Sequence, residues 1–340
     1  MSTTGIERGS STDFKASSVA GYFAIGGAAL FWGISATLGR AVFTGHLRLF
    51  GERIPLVPPI MLAQSRTTFA ACILFPVLIA TRGASALRMS WRELRDCVLF
   101  GTLGIAASNY FYYLSIQRTS VATAIILQYM APVFVLLWML GRGIQKPSVP
   151  RIAGVFVAGI GSVLAIGAIG VMPHFPWLGV APGTMRFDLI GVIAALVAAL
   201  SFAFYNVFGR HLVEAHDRWT VQAWALAGAA AGWLFIHPLW QVARAHYSAP
   251  QWGFMLLFSV TSTLIPFTLY VAGLRHLDAT RAIVTSCLEP VFSVLIAAFA
   301  LGEWVNRIQT VGILLVLAST ILVQQETGKG DTQPPFEPME

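Results

Sequence analysis

The chain has 340 residues, of which 56 % are hydrophobic and 11 % are charged, whereas a soluble domain carries roughly 25 % charged residues. A single soluble core cannot absorb this excess of apolar side chains, so lipid must solvate much of the surface. The formal charge of +7 does not indicate a nucleic-acid-binding protein, because the basic residues lie mostly between apolar runs, which is a pattern of membrane topology.

In chain order, residues 1–19 are small and polar, and we expect a disordered tail without a secretory signal peptide. Ten apolar runs follow, each suited to the roughly 17–25 residues of a membrane-spanning helix. They lie near 21–43, 60–81, 97–117, 120–140, 152–172, 188–209, 219–240, 252–274, 280–301 and 308–324. The Pro- and Gly-bearing stretch 173–187 is predicted to be an external linker, and residues 326–340 a second disordered tail.

The distribution of Lys and Arg predicts the orientation of the chain. With a cytoplasmic amino terminus, 14 of the 22 basic residues fall in cytoplasmic segments and 7 in external ones, while Arg66 lies within a span. Basic residues accumulate in cytoplasmic loops. We therefore expect a multi-pass membrane protein with both termini in the cytoplasm.

An internal repeat organises the ten runs. A spacing of 158 places Tyr112 on Tyr270 and Pro132-Val133-Phe134 on Pro290-Val291-Phe292, within a block of 23 positions that holds six identities. Each copy contains five spans, and an odd number reverses the direction of the chain, so the second copy enters the membrane inverted. The predicted fold is an all-α integral membrane protein of ten helices in two inverted five-helix repeats, 20–172 and 188–325.

The first copy carries an insertion. In the first span the spacing of the repeat is 170, because Gly39-Arg40 matches Gly209-Arg210, whereas Gln64 matches Gln222 at 158. About twelve extra residues therefore lie between Arg40 and Gln64. We expect them to form an external loop at His46–Pro59.

Several short motifs stand in a fixed order along this duplicated framework. They are Gln64-Ser65-Arg66, Thr280-Arg281-Ala282, Leu288-Glu289-Pro290-Val291-Phe292 and Leu301-Gly302-Glu303. Together with the repeat, they resemble the EamA-type transporters of the drug/metabolite transporter superfamily, over roughly residues 20–325. The resemblance implies an inner-membrane carrier that works by alternating access and most often exports small metabolites such as amino acids. In the first copy, Ala131-Pro132 and Leu140-Gly141-Arg142 stand where the second has Glu289-Pro290 and Leu301-Gly302-Glu303, so the acidic positions belong to one half.

Two charges within the spans are the first candidates for function. Arg66 can hold a carboxylate or phosphate with two parallel hydrogen bonds. Alternatively, it reaches the outer surface or pairs with an acidic loop residue. Glu289 can take a proton from one side and release it to the other, which would couple transport to a proton gradient. Alternatively, it bonds to backbone amides or to Arg66 and stabilises a kink at Pro290.

Further polar and aromatic residues can line a central cavity, in which a few such groups orient a ligand. These candidates are Trp32, Asn109, Tyr112, Gln128, Tyr205, Asn206, Tyr270 and Ser286. An interfacial aromatic belt is the alternative for the tyrosines and for Trp32, and it is favoured for Tyr110 and Tyr113. An interhelical hydrogen bond is the alternative for Gln128 and Asn109. Pro132 and Pro290, which the repeat relates, are the candidate hinges.

Two other classes of membrane protein compete with the transporter. An enzyme would need a cluster of nucleophilic or metal-binding side chains, but the seven histidines scatter over loops and span ends. A channel would need a filter built by several chains, whereas an inverted repeat within one chain favours rocking between two states. We therefore predict a transporter of amino acids or, alternatively, of drugs and other small metabolites, with no catalytic site, cofactor or metal. Its partners are a small-molecule substrate, the lipid bilayer and protons as coupling ion.

Overall fold

The computed structural model describes residues 9–49, 51–143, 149–166, 188–273, 276, 285–286 and 288–330. The predicted linker 173–187 lies outside the described residues, as do Arg281 and Cys287. In chain order the helices and strands are α1 (Gly9–Phe43), β1 (Arg48–Leu49), β2 (Glu52–Arg53), α2 (Pro59–Arg82), α3 (Trp91–Leu99), α4 (Ala107–Arg118), α5 (Val121–Gln128), α6 (Ala131–Gly141), α7 (Val149–Ile166), α8 (Leu189–Ala215), α9 (Arg218–Ile236), α10 (Leu239–Arg244), α11 (Ala249–Ser259), α12 (Ile265–Gly273), α13 (Leu288–Leu301) and α14 (Arg307–Gly330). A 3₁₀ turn (Ala84–Leu87) and two π-helical segments (Phe100–Ala106 and Val260–Leu264) complete the set.

Every predicted apolar run contains a helix. Seven helical stretches in the described residues are long and apolar enough to cross a membrane, and shorter apolar helices lie at Ile152–Leu164, Leu288–Leu301 and Arg307–Ser319. Helices form here because lipid offers no hydrogen bonds, so the backbone must satisfy its own donors and acceptors. The helices also extend further than predicted, because α1 begins at Gly9 and α14 ends at Gly330. The predicted tails are therefore helical in part, since each residue added to an existing helix gains a hydrogen bond.

The interruptions of the helices follow the repeat. The spacing of 158 places the second π segment, Val260–Leu264, on residues 102–106 of the first. The fourth span is broken at Tyr129 and Met130, between α5 and α6, and Pro132 lies in the first turn of α6. A proline in the first turn removes no helical hydrogen bond. The kink expected at Pro132 is therefore a full break between two helices. Pro290 takes the matching place in the second copy, in the first turn of α13.

The packing of the helices has the same inverted symmetry. Helix α4 of the first copy packs against α8 of the second, and the repeat-related pair α12 and α1 packs in the same way. Helices α2 and α9, which the repeat also relates, pack against each other, as do α7 and α14. The two five-helix repeats are thus interlocked rather than side by side, and the predicted fold is confirmed.

The glycines that follow α6 and α13 correct one detail of the alignment between the two copies. Gly302, which follows α13, has φ of +70°, and Gly143, which follows α6, has φ of +69°. A left-handed residue of this kind is common just after a helix and favours glycine. Gly302 therefore corresponds to Gly143, and not to Gly141 as the motif Leu140-Gly141-Arg142 suggested.

The predicted loop His46–Pro59 contains the antiparallel hairpin β1–β2, with Arg48 opposite Arg53. It is packed onto the bundle, because Leu47, Ile54 and Val57 are buried in the largest core cluster. This hairpin is a small departure from an all-helical chain. We call the end of the bundle at which it lies the hairpin end.

Charged side chains tie the elements together at the hairpin end. Arg40, near the end of α1, bonds with the carboxylate of Glu303 after α13 at 2.5 Å. Arg40 also donates to the carbonyls of Ile116 and Gln117 at 2.7 and 2.9 Å, while Glu303 accepts from the amide of Val121 at 3.1 Å. Helices from both copies are thereby joined at one point.

Candidate functional site

Helix α2 carries Arg66 into the bundle. Arg66 is the eighth residue of α2, so it lies about 10 Å along the helix axis from Pro59. Its Nε donates to Thr263 Oγ1 at 2.7 Å, and its Nη2 donates to the carbonyl of Ser262 at 2.7 Å. Its Nη1 donates to Asn109 Oδ1 at 3.0 Å and to Tyr113 OH at 2.6 Å.

These bonds decide between the two interpretations of Arg66. The guanidinium bonds to α4 and to the second π segment inside the bundle, so it neither reaches the outer surface nor pairs with a loop acid. A guanidinium has five N–H donors, and four are used here by neutral groups. One N–H on Nη2 is left, so the two-bond grip on a carboxylate that the sequence suggested is not available in this arrangement.

The second π segment supplies half of this network. Ser262 and Thr263 are buried within it, and Ser259 one turn earlier donates its hydroxyl to the carbonyl of Arg66 at 2.8 Å. A π segment shifts the backbone relative to a regular helix, and such segments are frequent at functional sites. The segment thereby brings a carbonyl and a hydroxyl from the second copy to the arginine of the first.

Glu289 lies in the first turn of α13. Its Oε2 accepts from Tyr129 OH at 3.2 Å, and that hydroxyl is also 3.2 Å from the carbonyl of Ser286. Tyr129 stands at the break between α5 and α6. Among the described residues, Glu289 forms no ion pair with Arg66, and its bond to Tyr129 is the hydrogen bond that its side chain makes. The alternative of a direct Arg66–Glu289 pair is therefore wrong for this arrangement.

Tyr112 lies near both charges. It is 7 % exposed, its hydroxyl makes no hydrogen bond in the described part of the chain, and it interacts electrostatically with Glu289 and with Arg66. Its ring lies 5.7 Å from the ring of Tyr113. We call this group the polar centre: Arg66, Asn109, Tyr112, Tyr113, Tyr129, Ser262, Thr263 and Glu289.

A second group is aromatic. The ring of Trp32 on α1 lies 5.9 Å from that of Phe267 and 5.8 Å from that of Tyr270, both on α12. Tyr205 on α8 stacks on Phe100 at 4.8 Å and interacts electrostatically with Tyr270. Three of the predicted residues, Trp32, Tyr205 and Tyr270, thus belong to this aromatic group.

Of the remaining candidates, Gln128 and Asn206 lie outside both groups, and Ser286 borders the polar centre. Gln128 donates to Ser108 Oγ at 3.3 Å, and Ser108 donates to the carbonyl of Ala198 at 3.3 Å, which is the interhelical bond given as its alternative. Asn206 is exposed and donates to the carbonyl of Phe202 on its own helix at 2.6 Å. Ser286 enters the polar centre through its carbonyl.

Sequence reasoning missed or misplaced some members of the polar centre. Tyr113 was expected in an interfacial belt, but it is 1 % exposed and bonds to Arg66, so that interpretation is wrong. Ser262 and Thr263 could have been noticed as polar residues in an apolar span. Tyr129 stands three residues before Pro132, next to the break that this proline favours.

Comparison with known proteins agrees with this architecture. The EamA-like transporter family matches residues 19–167 and 189–324, one match in each copy. The uncharacterized inner membrane transporter YicL of Salmonella typhimurium is 21 % identical over 304 residues, which are 88 % of this chain and 93 % of that protein. The threonine/homoserine exporter RhtA of Escherichia coli K12 is 25 % identical over 311 residues, 83 % of this chain and 97 % of that protein.

A solved crystal structure shares the fold. It superposes with a TM-score of 0.56 at 18 % sequence identity and covers 93 % of this chain and 98 % of that chain. The duplicated match, together with the ten apolar helical stretches of the described residues and their interlocked packing, shows that this chain belongs to the EamA-like transporter family.

Proposed function

We propose that this protein is a secondary transporter that exports amino acids or closely related metabolites across the inner membrane by alternating access. The observation that carries the proposal is the polar centre, in which the half-buried Arg66 and the carboxylate of Glu289 interact electrostatically without forming an ion pair. An α-amino acid carries the two complementary charges. The threonine/homoserine exporter among the relatives supports this class of substrate.

The repeat supports the mechanism. Transporters built from inverted repeats bind substrate at interrupted helices near the middle of the membrane, and one repeat moves against the other around that site. Here the polar centre takes its residues from the break between α5 and α6, from the first turn of α13 and from the second π segment. The break beside Pro132 and the first turn of α13 at Pro290 are the hinges of this proposal.

Both termini lie in the cytoplasm in this proposal, and the hairpin end faces outward. The distribution of basic residues supports it, with 14 on the cytoplasmic side and 7 on the outer side. A cysteine added after Glu340 is expected to react with a membrane-impermeant maleimide in lysed cells and not in intact cells. Equal labelling in intact cells would reverse the orientation.

Glu289 is the proposed carrier of the coupling proton. A carboxylate within a membrane is costly unless it is paired or functional, and the described residues supply Glu289 with a hydroxyl rather than a cation. When the site faces outward the carboxylate takes up a proton, and when it faces inward it releases the proton as substrate binds.

The test is proton movement in proteoliposomes that hold the parent protein, Glu289→Gln or the control Glu93→Gln. Glu93 is a half-exposed carboxylate in the first turn of α3, so its variant makes the same chemical change outside the polar centre. With threonine, homoserine and other amino acids as probes, we expect proton-coupled transport by the parent and by Glu93→Gln, and none by Glu289→Gln. Equal proton movement in all three would refute the role of Glu289.

The aromatic group favours a second candidate, a drug or metabolite with a flat apolar part. Trp32, Phe267 and Tyr270 offer ring faces and edges that can contact such a molecule. The same proteoliposomes, tested with planar aromatic amines, distinguish the two classes. Transport of these amines without transport of any amino acid would favour the second.

A further inference from the structure

The hydroxyl of Tyr112 is a buried polar group that no described residue satisfies. Tyr112 is 7 % exposed, and its hydroxyl has no hydrogen-bond partner in the described part of the chain. Buried polar groups in folded proteins are nearly always bonded, because an unpaired one loses its bonds to water without replacement. A bound ligand that offers an acceptor would satisfy this hydroxyl.

Arg66 is also one donor short of holding a carboxylate. Its bonds to Thr263, Asn109, Tyr113 and Ser262 leave one N–H on Nη2. A carboxylate is held best by two parallel donors. Tyr112 is the neighbour of Tyr113 on α4, with its ring 5.7 Å away, and can supply the second donor.

We propose that the Tyr112 hydroxyl and the remaining Nη2–H of Arg66 together form the subsite for the substrate carboxylate, and that Glu289 receives the substrate ammonium group. This inference rests on the proposed function and names its substrate class as α-amino acid zwitterions. Tyr112 is then a specificity residue: it selects a carboxylate over an uncharged amide at that position. Glu289 bonds to Tyr129 through Oε2, which leaves its other oxygen, Oε1, to accept from the ammonium.

The position of Tyr112 in the repeat fits this role. Its partner at a spacing of 158 is Tyr270, which contacts Trp32 in the aromatic group. A tyrosine thus stands at related places in both copies of the repeat, but of these two tyrosines only Tyr112 lies in the polar centre with Arg66. The carboxylate subsite therefore has one location and not two.

The test compares the parent with Tyr112→Phe, which removes only the hydroxyl. The probes are L-threonine and L-threoninamide, which differ at the carboxylate. We expect Tyr112→Phe to raise the KM for threonine by about tenfold to a hundredfold, as for a lost hydrogen bond to a charged group. The concentration of threoninamide that inhibits uptake by half is expected to stay within about twofold. Equal weakening for both probes, or no weakening for threonine, overturns the inference.

Two controls separate the other roles that Tyr112 could have. Tyr247→Phe makes the same change between α10 and α11, where the ring contacts Trp252 outside the polar centre, and we expect parental kinetics. If Tyr112 instead relayed protons to Glu289, Tyr112→Phe would alter the pH dependence of transport and leave the KM unchanged. That outcome also overturns the inference.

A binding measurement distinguishes failure of this inference from failure of the proposed function. Propionate, a simple carboxylate, is expected to raise the Tm of the purified parent but not that of Tyr112→Phe, because a ligand stabilises the state that binds it. If the parent carries no amino acid and this difference in Tm is still seen, the proposed function fails and the subsite stands. If propionate shifts both proteins equally or neither, the subsite fails.

Discussion

The two copies of the repeat share a backbone but not their charges. Both have a π segment at related positions, and both have a left-handed glycine after the corresponding helix, Gly143 or Gly302. At the spacing of 158, however, Arg66 corresponds to Trp224 and Glu289 to Ala131. Trp224 donates its indole N–H to the carbonyl of Leu87 at 3.0 Å, which anchors a loop.

This difference shows how a duplicated fold obtains a single site. Both copies have a π segment, but the polar centre combines one arginine from the first copy with one carboxylate from the second. Arg66 bonds to both copies, since Asn109 belongs to the first and Thr263 to the second. Movement of one copy against the other must therefore break or exchange part of this network.

The largest effect is expected when the arginine is removed. Arg66→Gln takes away the charge and leaves the buried partners in α4 and in the π segment unpaired, at about 1–3 kcal/mol for each group. We expect loss of transport and a clear fall in Tm. Trp224→Phe, the change at the related position, is expected to keep transport within about twofold, because it removes one bond to a loop. Comparable losses in the two variants would contradict the asymmetry.

A second prediction concerns the backbone that the copies share. A Cβ at Gly101 in the first π segment would overlap the carbonyl oxygen of Ala225 on α9. Gly101→Ala therefore forces the two elements apart, and we expect a loss of about 1–3 kcal/mol or more, measured as thermal unfolding in detergent. Gly159→Ala is the control, because no atom lies within 4 Å of its added Cβ. An unchanged Tm for Gly101→Ala would show that the π segment can move away from α9 at no cost.

A third prediction concerns the hairpin end, where Glu303 supplies a carboxylate that the first copy lacks at Ile144. Glu303→Gln weakens the bonds that Glu303 makes to Arg40 and to the amide of Val121. We expect this loss to favour the state that is open at the hairpin end by about 1 kcal/mol, or roughly fivefold. The measurement is the rate at which a maleimide labels Ala36→Cys in a background without native cysteines, since Ala36 is 2 % exposed in the parent. Arg82→Gln, at the opposite end, is the control. Faster labelling in Arg82→Gln alone would contradict the prediction, because the contacts at the opposite end would then be the ones that keep the hairpin end closed.

The sequence predicts the framework of this protein well because its determinants are local. Long apolar runs become helices whatever their neighbours are, and a charge such as Arg66 is conspicuous within one. The partners of Arg66 could not be predicted, because Thr263 lies 197 residues away and reaches it through the second π segment. The exposure of Asn206 could not be predicted either, since α8 is mostly apolar and its sequence does not mark an inner face.

The smallest effect is expected where the two copies begin their second helices. Helix α2 begins after Pro58 with no side-chain cap, whereas α9 is capped by Asp217, which accepts from the amides of Trp219 and Thr220 and from Arg82 at 2.9 Å. Partial burial raises the pKa of Asp217, but the bonds from Arg82 and from the two amides outweigh it, so the pKa lies below its usual value. The stabilisation is then complete above the unfolded pKa of about 3.9 and is lost as the pH falls through the lower folded pKa.

Asp217→Asn tests this sign, because asparagine can still cap the helix but carries no charge. At pH 7 we expect the Tm of the variant to lie slightly below that of the parent, by no more than about 1 kcal/mol in stability, since both Arg82 and Asp217 are over a third exposed and water screens the pair. As the pH is lowered below about 4, the two melting temperatures are expected to converge. A gap that stays constant with pH would mean that the charge of Asp217 contributes nothing and that the cap alone distinguishes α9 from α2.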